Sequence, residues 1–353
     1  MLAPKRTGPA GQPTYKGCDH CMKHLSLLAV FTAALAVGAA AHAEPVPQTP
    51  QADSLAKDAD MVVTLLGTGT PTLDPRRFGY STLVQANGLN LVFDAGRGNA
   101  IRLAQLGIPL GKVSATFLTH YHSDHINGLP DLWATGFLPS PQNRRTAPFE
   151  LYGPPSLETL VEGMEMMMSA DLRIRRDDNE VKPEAQRINA HTFNRPGVVF
   201  ERKGVKVTAF EVNHGDRIKP SYGYKVQYNG HTVALSGDTR YDERVIENAR
   251  GADVLVHEVG GVSTHHVDED WAKANVGHHT TAEQAGEVFA KAEPKLAVFS
   301  HISRPGPQDE TNSDDALVTR AKKAWPNGKV LLGSDLMRIY IGKDVNVVEW
   351  AGN

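Results

Sequence analysis

Two cysteines in 353 residues leave no disulfide framework to hold the fold. Cys18 and Cys21 lie together in "CDHC", and no second pair of ligands follows at zinc-knuckle spacing, so neither is assigned a function. Charge of one sign is also lacking. With 37 basic and 40 acidic residues the formal charge is −3, which provides no broad basic field for gripping nucleic acid. Long apolar runs are scarce as well. The stretch from Leu25 to Ala40 is short for a membrane span and has no stop-transfer flank.

That stretch has another reading. Met22, Lys23 and His24 precede it, and Ala41-His42-Ala43 closes it with a small-residue cleavage pattern. Residues 22–43 are therefore expected to be a secretory signal cut after Ala43, which implies a periplasmic or secreted protein. Residues 1–21 are read as an extension from an upstream start codon. The Pro-, Gln- and Ala-rich segment 44–60 is expected to be a flexible tether, and residues 61–353 one domain.

From Met61 onward, strand-like runs alternate with helical patterns. Strands are predicted at 61–66, 81–85, 89–93, 115–118, 205–212, 223–228, 232–235, 254–256, 296–299, 330–332 and 337–341. Helices are predicted at 99–106, 156–168, 282–292 and 314–324. Grouped strands with helices between them imply an α/β fold of stacked sheets covered by helices. The four methionines Met164, Met166, Met167 and Met168 are expected to pack in a core or cleft. The charged run "RIRRDDNEVK" reads as a solvated loop.

The chemistry concentrates in "THYHSDH", where His120, His122, Asp124 and His125 follow a predicted strand. Imidazole and carboxylate together suit zinc, manganese or iron, and the lack of thiolate argues against a purely structural zinc site. One loop cannot complete two coordination spheres. His214, Asp238 and His301 each stand at the end of a later predicted strand and supply further ligands of the right type.

With these residues the sequence resembles the metallo-β-lactamase superfamily, in its ribonuclease Z and arylsulfatase-like branch. The resemblance extends over nearly all of 61–345 and includes "LLGTGTPTLDPRRFGYSTLV", "LVFDAGRG", "SGDTRYDERV", "DVLVHEV", "GHHTTAEQAGEVF" and "FSHIS". It implies a four-layer αββα sandwich and two divalent ions, most simply Zn2+ with Mn2+ or Fe2+ as alternatives. His120, His122 and His214 would hold one ion, Asp124, His125 and His301 the other, and Asp238 would bridge them. Two ions sharing a hydroxide provide a nucleophile and a clamp for an anionic transition state.

Hydrolysis also needs a proton for the leaving group. His279 precedes a predicted helix that Thr280 and Glu283 would cap as a box, where unpaired N–H groups favour an anion. An imidazole there needs a carboxylate to stay protonated, and Glu258 ends another predicted strand. His279, Glu258 and Asp124 are therefore the expected catalytic residues. His265 and His266 read as exposed loop residues.

The expected function is an exported dinuclear metal hydrolase of small anionic esters, either phosphodiesters or aryl sulfates. Alternatives are a ribonuclease Z-like 3′-tRNA endonuclease and a β-lactam or lactone hydrolase. Export and the absence of an evident basic Gly/Pro-rich arm before His214 oppose a nucleic-acid partner. A scaffold that has lost catalysis is disfavoured, because Asp238, His279 and Glu258 are all present. The resemblance also raises a homodimer.

Overall fold

The computed structural model describes residues 50–140 and 143–350. The signal, the start-codon extension and both cysteines lie outside them. Among the described residues no helix is long and apolar enough to cross a membrane. Part of the stretch expected as a tether is helical: α1 covers Pro50–Asp58. Proline suits a first helical turn, and Ala52, Leu55, Ala56 and Lys57 are good helix formers.

Two sheets form the centre. Strands β1 (Met61–Gly67), β2 (Ser81–Ala86), β3 (Leu89–Phe93), β4 (Ala115–Phe117), β5 (Phe149–Gly153) and β6 (Ile188–Thr192) build the first. The chain then crosses to the second, made of β7 (Gly197–Arg202), β8 (Val205–Val212), β9 (Ser221–Tyr228), β10 (His231–Leu235), β11 (Val254–Gly260), β12 (Leu296–Ser303) and β13 (Val330–Leu332). It returns to the first through β14 (Arg338–Ile341) and β15 (Val345–Val348), giving the order β15-β14-β1-β2-β3-β4-β5-β6.

Alternation along the strands sorts side chains into layers. Val63, Leu65, Leu91 and Phe93 from the first sheet meet Val207, Tyr224, Val256 and Val298 from the second in a central core. Their neighbours Leu66 and Val92 face outward, under α2 (Asn99–Gln105), α4 (Leu129–Gly136) and α5 (Leu157–Met167). On the far side Leu255, Ala297 and Phe299 pack beneath α8 (Glu243–Ala249), α10 (Ala282–Ala292) and α11 (Asp314–Lys322). Helix, sheet, sheet and helix follow one another, which is the αββα sandwich.

Phe117 shows how tightly the central layer is specified. It is fully buried, stacks on Phe93 and Tyr152 at centroid distances of 4.9 Å each, and meets Phe200 and Tyr224 edge-on. Truncation leaves a cavity that so many neighbours cannot collapse into. Phe117→Ala is expected to lower the unfolding free energy by about 3–5 kcal/mol, read from urea denaturation of the two proteins.

The region between β5 and β8 departs from expectation. The first half of the charged run read as a loop is helix: α6 covers Ser169–Asp177, and Arg175 bonds to Asp171 one turn away. Of the four methionines Met164 is core and Met168 packs against that core, while Met166 and Met167 are 76% and 62% exposed. Helix α5, which carries Met164, Met166 and Met167, is amphipathic with a narrow apolar stripe, and adjacent methionines cannot all lie on it.

Strand direction brings the chemistry to one edge. β4 runs parallel to β3 and β5, and β10, β11 and β12 run parallel to each other. β8 is two antiparallel steps from β10 and so also points that way. The segments following β4, β8 and β10, and the ends of β11 and β12, therefore converge.

Candidate metal centre

Nitrogen or oxygen atoms of His120, His122, His214 and Asp238 lie within 4.8 Å of one another. The same holds for Asp124, His125 and His301, and for Asp238, His279 and His301. Asp238 thus belongs to the first group and also approaches the second. Its Oδ2 is 3.3 Å from His125 Nε2, 3.2 Å from His301 Nε2 and 3.6 Å from His214 Nε2. All seven residues expected as ligands meet at one place, and all but His122 are buried.

The backbone is bent to achieve this. Gly237 adopts φ of 61°, and a Cβ there would strike the Tyr222 carbonyl at 2.5 Å. His301 itself sits in the left-handed region at φ 43°. A non-glycine residue held there costs free energy that surrounding packing must offset, a pattern concentrated at functional sites.

The hydrogen bonding shows what is missing from the protein groups alone. His120 Nε2, Asp124 Oδ1, His125 Nε2 and Asp238 Oδ1 are buried without a partner among the described residues. Buried polar atoms are normally paired, and several orphans aimed at one point mark an ion site. The other ring nitrogens are committed outward. His214 Nδ1 donates to the His278 carbonyl at 2.9 Å, and His125 Nδ1 donates to Asp94 Oδ2 at 2.8 Å. Such bonds select the tautomer that aims Nε2 inward.

Electrostatics agree with the geometry. Burial pushes His120 well below its ordinary value and His214 down to about 4, so both are neutral donors. His125 is different: burial opposes its charge, but Asp238, Asp94 and Asp124 outweigh it and hold it well above the usual range. Among the protein groups alone, a proton on His125 supplies the positive charge that these carboxylates require. A divalent cation would supply more, and nitrogen, oxygen and carboxylate donors of this kind suit zinc, manganese or iron.

Asp94 was not singled out as a functional residue from the sequence. It follows β3 with φ of 56°, accepts Thr119 N and Oγ1 at 2.8 Å each, and orients His125. Its only local signal is a carboxylate directly after a buried apolar strand. Asp94→Asn is expected to weaken metal affinity about 10–100-fold with the fold intact, measured by competition with a chromophoric chelator.

His279 and Glu258 are also brought together. Glu258 lies in the C-terminal half of β11, a strand buried throughout, and its Oε1 lies 3.3 Å from His279 Nδ1. The same oxygen accepts the backbone N–H of Thr239 at 3.1 Å and of Thr280 at 3.0 Å. Burial lowers His279, yet Glu258 and the nearby aspartates outweigh it and push it up to about 9. Arg240 Nε donates to the Gly277 carbonyl and so fixes the turn that carries His278 and His279.

The capping box is one residue later than expected. Thr281 caps α10, with Gln284 as its reciprocal partner. Thr280 is turned inward, where its Oγ1 donates to the Thr239 carbonyl, and Glu283 pairs with Arg320 instead. His265 is exposed, as expected, and bonds to Glu310. A cavity of about 330 Å³ opens over the centre, bordered by His122, His279 and Asn275.

Comparison with known proteins matches this arrangement. A model of the beta-lactamase superfamily domain matches residues 90–302. The ribonuclease Z of Mycobacterium avium is 33% identical over 79% of this chain and 98% of its own length. Among solved structures, human tRNase Z (short form) superposes with a TM-score of 0.58 at 24% identity, over 79% of this chain and 99% of that one. The metallo-beta-lactamase fold protein YhfI from Bacillus subtilis gives 0.58 at 19%, over 79% and 98%. By family model, sequence and fold together, the chain belongs to the metallo-β-lactamase superfamily, in its ribonuclease Z branch.

Proposed function

We propose that this protein hydrolyses phosphodiester bonds at a centre of two divalent cations, zinc being the simplest choice. His120, His122 and His214 would hold one ion, Asp124, His125 and His301 the other, with Asp238 between them. When bound, the cations supply an activated water and a clamp for the anionic transition state. The observation that carries the reading is the convergence of four unpartnered ligand atoms beside the His279–Glu258 pair.

The protein groups divide the remaining work. Glu258, held by two backbone amides, keeps His279 protonated and oriented toward the cavity. His279 then donates its proton to the departing oxygen. Asp124 stands beside His301 at 3.0 Å and fixes that ring. Relatives named ribonuclease Z favour a phosphodiester over a sulfate ester or a lactam.

Whether the diester is RNA or a small molecule divides on two observations. The names of the relatives favour RNA. Residues 157–187, which lie between the metal loop and His214, favour a small ester: they carry eight acidic and five basic side chains, a poor surface for a phosphate backbone. Residues 22–43 also support export, and N-terminal sequencing of the mature protein should then begin at Glu44. Assays of the zinc-loaded protein on bis(p-nitrophenyl) phosphate, p-nitrophenyl sulfate, nitrocefin and a precursor tRNA test the reading. Turnover of the first substrate is expected. Turnover of nitrocefin alone would overturn the proposal, and precise trimming of the tRNA would select RNA.

A further inference from the structure

A second, larger cleft of about 870 Å³ adjoins the metal centre and shares Pro71, Asn275 and His279 with it. Its walls come from the loop after β1 and the loop after β12, both of which join the centre at the same sheet edge. Three arginines line it: Arg76, whose side chain is 86% exposed, and Arg77 and Arg304, each with only 18% of its side chain exposed.

Arg77 is anchored from behind. Its Nη1 donates to Thr68 Oγ1 at 2.8 Å and to the Gly333 carbonyl at 2.7 Å, which leaves Nη2 directed to Asp314 at 3.5 Å. Arg304 Nη2 donates to the other oxygen of Asp314, while Arg304 Nε is buried without a partner among the described residues. The remaining carboxylates of the cleft are committed elsewhere. Asp74 pairs with Arg76, and Asp335 accepts bonds from Thr68, Phe78 and Arg102. Two guanidinium groups therefore share a single carboxylate. That carboxylate is 57% exposed and free to swing into water, whereas the arginines are not. Burial also lowers Arg77 from its ordinary value, so its charge gains from a closer anion.

His279 borders both cavities, so an alcohol that receives its proton can lie in this cleft. We infer that the cleft is a subsite for a second anionic group carried by the leaving alcohol, held by Arg77 and Arg304 once it displaces Asp314. The inference rests on the phosphodiester reading and narrows it to diesters whose leaving alcohol bears a phosphate or similar anion. Paired guanidinium groups suit such an anion because their fixed N–H groups match its oxygens. Asp314 acts as a placeholder that keeps the arginines apart from each other's charge when the cleft is empty.

Isothermal titration of the metal-loaded full chain with uridine 3′-phosphate and uridine 3′,5′-bisphosphate tests this. The 3′-phosphate stands for the scissile group and the 5′-phosphate for the distal one. The bisphosphate is expected to bind at least about tenfold tighter, the scale of one charge-assisted contact. Arg304→Gln should bring that ratio close to one, and Asp314→Asn should widen it several-fold. A wild-type ratio near one, or a ratio that neither variant moves, overturns the subsite. A clear ratio in a protein that cleaves no phosphodiester would keep the subsite and refute the activity; cleavage without a ratio does the reverse. A uridine tetranucleotide that binds no better than the bisphosphate assigns the distal phosphate to a small nucleotide, and tighter binding assigns it to an RNA chain.

Discussion

Asp238→Ala should lose both the bound metal and the activity, with turnover down by at least about three orders of magnitude. The reason is positional. Asp238 Oδ2 lies 3.2–3.9 Å from nitrogens of His120, His125, His214 and His301, so no other carboxylate touches both ligand groups so evenly. Burial raises its pKa and the surrounding histidines lower it further than burial raises it, leaving the carboxylate ionised. Removing it leaves four imidazoles facing one another with less negative charge to hold a cation. Metal content by mass spectrometry and bis(p-nitrophenyl) phosphate turnover, with circular dichroism to verify the fold, would check the result. Retained metal with lost activity would mean that Asp238 serves the substrate rather than the ions.

His279→Ala should behave in the opposite way, keeping metal while losing about 10²–10⁴-fold in turnover. His279 adjoins the ligands but bonds to Glu258, and its ring stacks on His301 at a centroid distance of 5.4 Å. A proton donor is active in its protonated form. With a pKa pushed up to about 9, His279 holds its proton at neutral pH and loses it as the pH rises through that value. Bound cations repel the proton and move this limb to lower pH. Turnover is therefore expected to fall on the alkaline side, at or below pH about 9, and His279→Ala should flatten that limb as well as lower the rate. An unchanged pH profile in the variant would remove the assigned role.

Much of the centre is legible in the sequence alone, and the reason is local. His120, His122, Asp124 and His125 sit within one turn of chain after a buried strand, so proximity in sequence is proximity in space. His214, Asp238 and His301 were readable because each follows an alternating apolar run, and parallel strands of a sheet end at one edge. The layers followed from the same alternation, as with Val63, Leu65 and Leu66. What escaped depends on tertiary contact. Asp94 acts through His125, a residue from another loop, and nothing near it in sequence announces that. Thr280 looked like the helix cap because Glu283 follows at the right spacing, yet the demand of Glu258 for its N–H pulls it inward and passes the cap to Thr281. The helix α6 was missed since its ion pairs, not an apolar stripe, support it. The strands β5, β6, β7 and β15 were not expected; β6, β7 and β15 bury few of their side chains, so their apolar alternation is weak. The clamp on Asp314 brings Arg77 to it across more than 200 residues, beyond the reach of any local pattern.

The pair of cations is best tested by counting them. Purified protein, dialysed against metal-free buffer, is titrated with a strong chelator while bound metal and bis(p-nitrophenyl) phosphate turnover are followed together. Two ions per folded chain are expected, with activity lost as they leave and restored when zinc is returned. A chain that holds at most one ion, and keeps its full rate after the chelator has removed it, would contradict the dinuclear centre.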